Sequence, residues 1–341
     1  DLAILNYSQI DSPKHPVPNS CRGLILNKNT LETVSFSFTR FFNYNEGHAS
    51  EIDWDTAKIY EKLDGTLIVF YHHDGNWRVQ TRGTIDGDAP INDFGFTFKD
   101  RVMHLVEEKG FFSLDDLMLG VDTNLCFIAE YTSPYNRIVT YYAEEDLKLT
   151  AVSNKKDHHD IPIESNVFHW PWGHVSSHDL PKNLDDLLES LGNLPELAEG
   201  YVVRDADGNR IKIKSPRYLA IHRAINAGNS PTEKNFARLA ILGDTEEIKR
   251  YFPEYAERIE KYEKFIQKEC GRHKIVWFNT KDWESQKEFA LEVKDLPFSG
   301  WLFQKRNKKS DINCRSWVKE NVRPEKLVDK LSPSEKGLAN V

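Results

Sequence analysis

A lysine stands two residues before an Asp-Gly pair in the stretch Glu61-Lys62-Leu63-Asp64-Gly65-Thr66, at the start of an apolar strand. The unperturbed pKa of lysine is about 10.4, so its amine is protonated at neutral pH and is a poor nucleophile. Lowering that pKa to about 7 corresponds to roughly 4 kcal/mol, and nearby cations can supply it because like charges disfavour the ammonium form. Lys62 is therefore a candidate nucleophile, although an exposed lysine before a turn is the commoner explanation of these residues alone.

A second pattern places two cations on one face of a strand. The run from Tyr201 to Lys214 predicts a hairpin that turns at Asp207-Gly208. Because side chains alternate along a strand, Lys212 and Lys214 share one face and two isoleucines share the other. Beside them Glu199 could supply a hard oxygen ligand for Mg²⁺, while the lysines neutralise phosphate. The alternative is the solvated face of an ordinary hairpin.

The first 222 residues have the character of a strand-rich domain. Another hairpin is predicted from Thr66 to Thr81, and residues 125–129 form a candidate buried strand. Beyond residue 222 apolar residues recur at intervals of three and four, most clearly from Thr245 to Gln267, which predicts an amphipathic helix whose aromatic stripe is core. We expect an α+β fold: a domain of antiparallel sheets over residues 1–222, then an all-α domain over 223–341.

Composition narrows the class of protein. The 341 residues are 39% hydrophobic and 29% charged, with a net charge of −8, as in ordinary globular proteins. No apolar run approaches the length of about 18 residues that marks a membrane span. The four cysteines are widely spaced, which favours a reducing cytoplasm over disulfides or a zinc site. The start has neither a basic leader nor a methionine, so we expect no signal peptide and a longer natural chain.

Charge is unevenly distributed between the two predicted domains. Residues 231–341 contain 23 Lys and Arg against 19 Asp and Glu, whereas residues 1–230 carry a net charge of −12. The stretch 304–309, Gln-Lys-Arg-Asn-Lys-Lys, is either a nucleic-acid contact or a solvated basic loop. Five histidines between His158 and His178 could suggest zinc, but their spacing fits no known zinc pattern and an exposed insertion is favoured.

Several motifs, taken in order, resemble the covalent nucleotidyltransferases, and more closely the ATP-dependent RNA ligases of the phage T4 RNA ligase 1 type. The resemblance extends to about residue 270. It is carried by these segments: Cys21-Arg22-Gly23, Arg40-Phe41-Phe42-Asn43, Lys62-Leu63-Asp64-Gly65, Arg82-Gly83-Thr84-Ile85, Phe127-Ile128-Ala129-Glu130, Ser133-Pro134-Tyr135-Asn136-Arg137-Ile138-Val139, Glu199-Gly200-Tyr201-Val202-Val203 and Lys212-Ile213-Lys214-Ser215 with Tyr218.

The resemblance implies a role for each matching residue. Lys62 would carry AMP from ATP as a phosphoramidate. Glu130 would contact the nucleoside sugar, and Glu199 would be associated with the catalytic Mg²⁺ or Mn²⁺. Lys212 and Lys214 would contact the nucleotide phosphates. The remaining matches would surround the nucleotide: Tyr7, Arg22, Arg40 and Arg82. Relatives carry lysine at the last two positions, and arginine is not its equivalent.

The expected function is therefore joining of RNA 3′-hydroxyl and 5′-phosphate ends. Repair of broken tRNA is the expected setting, with the helical domain selecting the RNA and a kinase/phosphatase that heals the ends as a functional partner. Three alternatives stay open. They are a DNA ligase or capping enzyme, which usually has a small β-barrel after the Lys-x-Lys strand, a catalytically silent RNA-binding protein, and a structural domain without nucleotide.

Overall fold

The computed structural model describes residues 1–8, 15–165, 168–178, 183–225, 231–243, 245–308 and 313–331. The chain divides into two compact units, Asp1–Ala220 and Ile221–Val341, whereas the sequence analysis set the boundary after residue 222. No helix within the described ranges is both long enough and apolar enough to cross a membrane.

The strands of the first unit form three sheets. Their bounds are β1 Leu2–Asn6, β2 Arg22–Asn27, β3 Thr33–Ser35, β4 Phe42–Asn43, β5 Lys58–Lys62, β6 Thr66–His73, β7 Asn76–Thr81, β8 Leu125–Thr132, β9 Asp146–Asn154, β10 Asp160–Ile161, β11 Ser177–His178, β12 Gly200–Arg204 and β13 Arg210–Lys214. The strand orders are β1-β2-β3, β10-β9-β8-β6-β7 and β11-β5-β12-β13-β4. All pairings are antiparallel except that of β13 with β4, so the predicted antiparallel fold is confirmed with one parallel edge.

Helices flank these sheets and make up the described part of the second unit. Their bounds are α1 Pro16–Ser20, α2 Phe98–Glu108, α3 Leu114–Leu117, α4 Leu184–Ser190, α5 Pro216–Ile225, α6 Glu233–Leu242, α7 Glu246–Tyr251, α8 Ala256–Thr280, α9 Gln286–Val293, α10 Ser299–Lys308, α11 Cys314–Asn321 and α12 Pro324–Leu331. The described residues after β13 contain no strand, which confirms the helical character predicted for the C-terminal region.

The long helix predicted from Thr245 to Gln267 is divided in the structure. Helix α7 ends at Tyr251, a short 3₁₀ turn spans Pro253–Tyr255, and α8 runs on to Thr280. Proline cannot donate the backbone hydrogen bond that a continuous helix needs, so the break falls at Pro253. The aromatic stripe is core as predicted, because Phe252 and Tyr262 are each 1% exposed.

The stretch around Lys62 is the crossover between two sheets. Lys62 ends β5 in one five-stranded sheet, and Thr66 begins β6 in the other. Gly65 lies so close to β8 that an added Cβ would collide with the carbonyl oxygen of Tyr131. Glycine is therefore required there, and the crossover is pressed against the neighbouring strand.

The hairpin of β12 and β13 sets which side chains face the site. Ile211 and Ile213 are buried in a core cluster with Leu187 on one face of the sheet. Lys212 and Lys214 occupy the opposite face, as the alternation in sequence predicted. The core thus fixes the direction of both lysines.

Candidate active site

Glu199 lies between two lysines and contacts both. Lys62 Nζ is 2.6 Å from Glu199 Oε2, and Lys214 Nζ is 2.6 Å from Glu199 Oε1. The contact follows from strand register, because Gly200 pairs with Lys62 on one side and with Lys214 on the other. The Glu199 side chain is 4% exposed, so it is a buried carboxylate neutralised by two ammonium groups.

The chain conformation at Gly200 allows this close approach. Its φ is +137°, and an added Cβ would collide with the carbonyl oxygen of Ile213 in the adjacent strand. The backbone N–H of Ser215 donates to the Glu199 carbonyl at 2.8 Å. The backbone on both sides of the carboxylate is therefore held by the neighbouring strand.

The pKa of Lys62 is shifted in the direction opposite to expectation. Burial by itself lowers the pKa of this amine, but the carboxylates of Glu199 and Glu130 outweigh it and leave the pKa raised. From the sequence, nearby cations are expected to lower this pKa. Lys214 cannot do so while it shares the carboxylate with Lys62, so in this arrangement the candidate nucleophile is held as an ammonium.

The pKa of Lys212 is lowered, which is the shift that was expected for Lys62. Burial, followed by the charges of Lys62, Lys214 and Arg22, lowers the pKa of Lys212 to about 8. Among the described residues no carboxylate lies within ion-pair distance of it, and its Nζ is 5.7 Å from the centroid of the Phe41 ring. An under-neutralised cation in a half-buried site favours an anionic ligand.

Glu130 is joined to the Lys62 crossover through the backbone. The Gly65 N–H donates to Glu130 Oε1 at 3.1 Å. Burial, with a further contribution from Glu199, raises the pKa of Glu130 to about 7, although Lys62 acts in the opposite direction. The structure thus brings together Lys62, Glu130, Glu199 and Lys214, which are separated by up to 152 positions in the chain.

The predicted arginines gather around a tyrosine. The guanidinium carbons of Arg40 and Arg82 lie 4.3 Å and 4.5 Å from the centroid of the Tyr7 ring. Arg22 Nη1 is buried with no hydrogen-bond partner among the described residues, and burial lowers the pKa of this guanidinium. A buried donor without a partner is costly, so Arg22 also favours an anionic ligand. A guanidinium group can stack on the face of an aromatic ring, which an ammonium group cannot do, so arginine and lysine are not equivalent beside Tyr7.

Asp64 has a structural environment that the sequence did not reveal. Its Oδ2 accepts the backbone N–H groups of Val139 and Thr140, each at 2.8 Å, and its Oδ1 accepts the Tyr218 hydroxyl at 2.6 Å. The Asp64 N–H donates to the Tyr142 hydroxyl at 3.1 Å. Both carboxylate oxygens are therefore committed to hydrogen bonds, and Asp64 fastens residues 139–140 and Tyr218 to the crossover.

Two other sequence candidates lie outside this cluster. The predicted basic loop at 304–308 is part of helix α10, and Lys309 lies outside the described residues. There Arg306 Nη2 donates to the Trp283 carbonyl at 2.6 Å and its guanidinium lies 4.5 Å from the Phe289 ring centroid. Arg306 is thus a packing residue, because its long side chain satisfies carbonyls and covers an aromatic ring.

The histidine-rich segment contains exposed histidines and buried tryptophans. All five histidines are exposed, as predicted for an insertion, namely His158, His159, His169, His174 and His178. Trp170 and Trp172 between them are buried in the main core, which an exposed insertion did not predict. The described residues contain no group of three or more His, Cys, Asp or Glu able to hold a metal ion.

Chemically, the cluster combines the Lys62 amine with the Glu199 carboxylate, which bridges two lysines. Among the described residues its other cations, Lys212 and the three arginines, form no ion pair with a carboxylate. Such a set suits transfer of a phosphorus group, which depends on positioning and charge neutralisation. Glu199 is a suitable hard oxygen ligand for a divalent cation, which would need further oxygens from a phosphate group. Mg²⁺ is commonly bound in this way, by one or two carboxylates and substrate phosphates.

Comparison with known proteins gives a consistent result. Residues 20–218 match a family described as RNA ligase. A protein of Autographa californica nuclear polyhedrosis virus, named putative bifunctional polynucleotide kinase/RNA ligase, is 32% identical over 77% of this chain, and the match spans 39% of its own length. An RNA ligase of Rhodothermus phage RM378 is 24% identical over 83% of this chain and 80% of its own. An archaeal ATP-dependent RNA ligase structure aligns over 73% of this chain and 70% of its own with 13% identity and a TM-score of 0.43.

Proposed function

The chain belongs to the RNA ligase family, and from that premise we propose that it seals RNA ends with ATP through an adenylated lysine, Lys62. One observation carries the proposal: Lys62 and Lys214, on strands either side of β12, share the buried carboxylate of Glu199. The chain spans only 39% of the length of the viral relative, so its activity, substrate and partners are proposals.

In the first step Lys62 Nζ attacks the α-phosphorus of ATP. A P–N bond forms, the bond to the pyrophosphate oxygen breaks, and the amine gives up its proton. Lys212 and the arginines Arg22, Arg40 and Arg82 neutralise phosphate oxygens. A divalent cation, Mg²⁺ or Mn²⁺, would supply further neutralisation when bound and would take Glu199 as a ligand. Glu199 would then no longer hold the Lys62 ammonium, and Lys62 would become a better nucleophile.

The two later steps move AMP and then release it. A 5′-phosphate oxygen of RNA attacks the lysyl-AMP phosphorus, which forms RNA-adenylate and frees Lys62. A 3′-hydroxyl then attacks the 5′-phosphate, forms the phosphodiester and expels AMP. Lys212 and Lys214 lie on the same face of the sheet as Lys62 and would stay near the phosphates through all three steps.

The biological setting is a further part of the proposal. Broken tRNA is the substrate we favour, with residues 223–341 contributing to RNA selection. The relative from the baculovirus bears a name that joins a kinase to a ligase, which supports a partnership with an enzyme that heals RNA ends. The four cysteines are free, which supports the cytoplasm as the location.

Labelling with ATP tests the first step. Protein incubated with α-labelled ATP and Mg²⁺ should retain label through denaturing electrophoresis, and Lys62→Ala should retain none. Lys58→Ala is the matched control, since Lys58 is a 53% exposed lysine on the same strand. An unlabelled wild-type protein would leave only an RNA-binding or structural role.

The acceptor strand separates the ligase from its rivals. Labelled protein is offered 5′-phosphorylated RNA and DNA of the same sequence, and sealing of RNA ends is the expected product. A preference for DNA, or transfer of the nucleotide to an unphosphorylated acceptor, would contradict the proposal. The described residues after β13 are helical and lack the small β-barrel expected of DNA ligases and capping enzymes.

A further inference from the structure

The segment of residues 133–142, which we name the anchored loop, is fixed directly to the Lys62 crossover. Asp64 accepts two of its backbone N–H groups, and Asn136 Nδ2 donates to Thr66 Oγ1 at 2.8 Å. On the other side, Thr140 Oγ1 donates to the carbonyl of Leu197, two residues before Glu199, at 2.7 Å. The anchored loop is therefore fixed on both sides of the site, to the crossover that follows Lys62 and to the segment that precedes Glu199.

The outer surface of the anchored loop carries a cation above an aromatic ring. Tyr141 is 58% exposed, while Val139 in the same loop is fully buried. The guanidinium carbon of Arg137 lies 5.5 Å from the centroid of the Tyr141 ring, and Arg137 Nε donates to the Val139 carbonyl at 3.3 Å. An exposed aromatic ring beside a guanidinium matches the way proteins hold single-stranded nucleic acid, with a base on the ring and a phosphate on the cation.

Tyr141 also borders a surface that disfavours a phosphate backbone. A cleft of about 720 Å³ opens there, and its charged lining residues are Glu61, Glu108, Glu144, Glu145 and Asp146 with Lys109 and Lys148. Five acidic groups outnumber two basic ones, so a polyanion is repelled from it. We expect the phosphates of a strand that passes the anchored loop to lie beside Arg137 and the acidic side chains of the cleft to disfavour them.

We propose that Arg137 and Tyr141 bind the RNA strand next to its reacting end, with a base stacked on Tyr141 and a phosphate on Arg137. The inference rests on the proposed ligase function and adds a binding site to it. None of the nucleotide contacts inferred above uses either side chain. Stacking is tolerant of base identity because every base has a π face, so the site should not depend on sequence.

Binding of single-stranded RNA tests the Tyr141 contact. A fluorescent, 5′-phosphorylated RNA oligonucleotide is titrated with protein, and its dissociation constant is measured by anisotropy. Tyr141→Ala should weaken binding about tenfold, since losing one stacked base typically costs between about 5-fold and 150-fold. Tyr141→Phe keeps the ring and should bind within about twofold of wild type. Phe112→Ala is the matched control, because Phe112 is an aromatic residue 92% exposed in the same unit.

The salt dependence of RNA binding tests the Arg137 contact. Arg137→Gln should reduce the slope of log affinity against log salt by about 0.7, the value for one phosphate on a single strand. Arg137→Lys keeps the charge and should retain the slope. An unchanged slope in Arg137→Gln would overturn this part of the inference.

Failure of the inference is distinguishable from failure of the ligase proposal. Each variant is also assayed for lysyl-AMP formation, which requires no RNA and reports folding and nucleotide binding. If Tyr141→Ala binds RNA as well as Phe112→Ala does, or loses RNA binding and lysyl-AMP formation in equal measure, the inference is wrong. If wild type forms no lysyl-AMP, the ligase proposal fails, whereas the anisotropy measurement still decides whether RNA contacts Tyr141.

Discussion

Glu199 and Asp64 are both almost fully buried carboxylates beside Lys62, yet their surroundings differ in kind. Glu199 contacts two ammonium groups that belong to flexible side chains, whereas Asp64 contacts two backbone N–H groups and a phenol. Ammonium groups can exchange this partner for a phosphate or let a metal take it. Backbone N–H groups have no such freedom. We therefore expect the charge of Glu199 to matter for chemistry and the hydrogen-bonding shape of Asp64 to matter for stability.

The largest effect should come from replacing Glu199. Glu199→Gln keeps the shape but removes the charge, and both it and Glu199→Ala should slow lysyl-AMP formation by about 10²–10³-fold, the usual range for loss of one electrostatic group. Single-turnover labelling with ATP measures this rate. If Glu199→Gln retained a rate within a few-fold of wild type, charge would not be the property that matters, and the contrast with Asp64 would disappear.

Asp64 should show the reverse dependence. Asp64→Ala leaves two N–H groups without an acceptor and should lower the free energy of unfolding by about 3 kcal/mol. Asp64→Asn can accept both N–H groups through its carbonyl and donate to the Tyr218 oxygen through its amide, so it should lose only about 1 kcal/mol. Denaturant titration measures both values. Equal losses for the two variants would show that Asp64 acts through its charge, as Glu199 does.

The pH dependence of the unfolding free energy should reveal the unneutralised charge of Lys212. The Lys212 pKa is about 8 in the folded protein and 10.5 for an ordinary lysine, so between these values the unfolded chain binds more protons. Stability should therefore rise with pH across that window, by about 1–3 kcal/mol. Lys212→Met should remove the rise in unfolding free energy measured at pH 8 and pH 10.5. Lys58→Met is the control, because Lys58 is exposed and does not contribute to the lowered pKa of Lys212. A rise that survives in Lys212→Met would contradict the assignment.

The smallest effect is expected at Tyr218. Burial, reinforced by the charges of Glu199 and Asp64, raises the pKa of the Tyr218 phenol, so it stays a neutral donor to Asp64. Tyr218→Phe removes one hydrogen bond and should lower the unfolding free energy by about 1 kcal/mol. Lysyl-AMP formation should fall less than tenfold. A loss as large as that of Glu199→Gln would instead place the Tyr218 hydroxyl in the chemistry.

Local pattern was sufficient for part of the fold. Alternation predicted the hairpin that carries Lys212 and Lys214, and turn residues predicted the hairpin from Thr66 to Thr81. The buried strand predicted over residues 125–129 also occurs in the structure, as the first part of β8. The resemblance to the RNA ligases, which is carried by the order and type of the motif residues, was enough to propose Lys62, Glu130 and Glu199 as one site.

Apart from the break at Pro253, the features that could not be predicted from the sequence depend on contacts between residues far apart in the chain. The contacts of Asp64 reach residues 139, 140 and 218, and nothing in the local pattern of an Asp-Gly pair indicates them. The raised pKa of Lys62 depends on the register of β5 against β12, which periodicity does not fix. The stretch that contains Arg306 left both a nucleic-acid contact and a solvated loop open, because the aromatic and carbonyl partners of Arg306 lie more than 15 positions away. Only the break at Pro253 could have been found by inspection of the sequence.

Because Gly200 pairs with both Lys62 and Lys214, the site forms only when the three strands pair in the correct register. Activity therefore depends on correct assembly of the sheet. A one-residue slip of β12 would turn each of its side chains to the opposite face and separate the carboxylate from both amines. Misassembled molecules would therefore be silent in the labelling assay. The molar ratio of bound adenylate to protein would therefore measure the fraction of correctly assembled molecules in a preparation. Spectroscopic measurement of secondary-structure content does not provide that fraction.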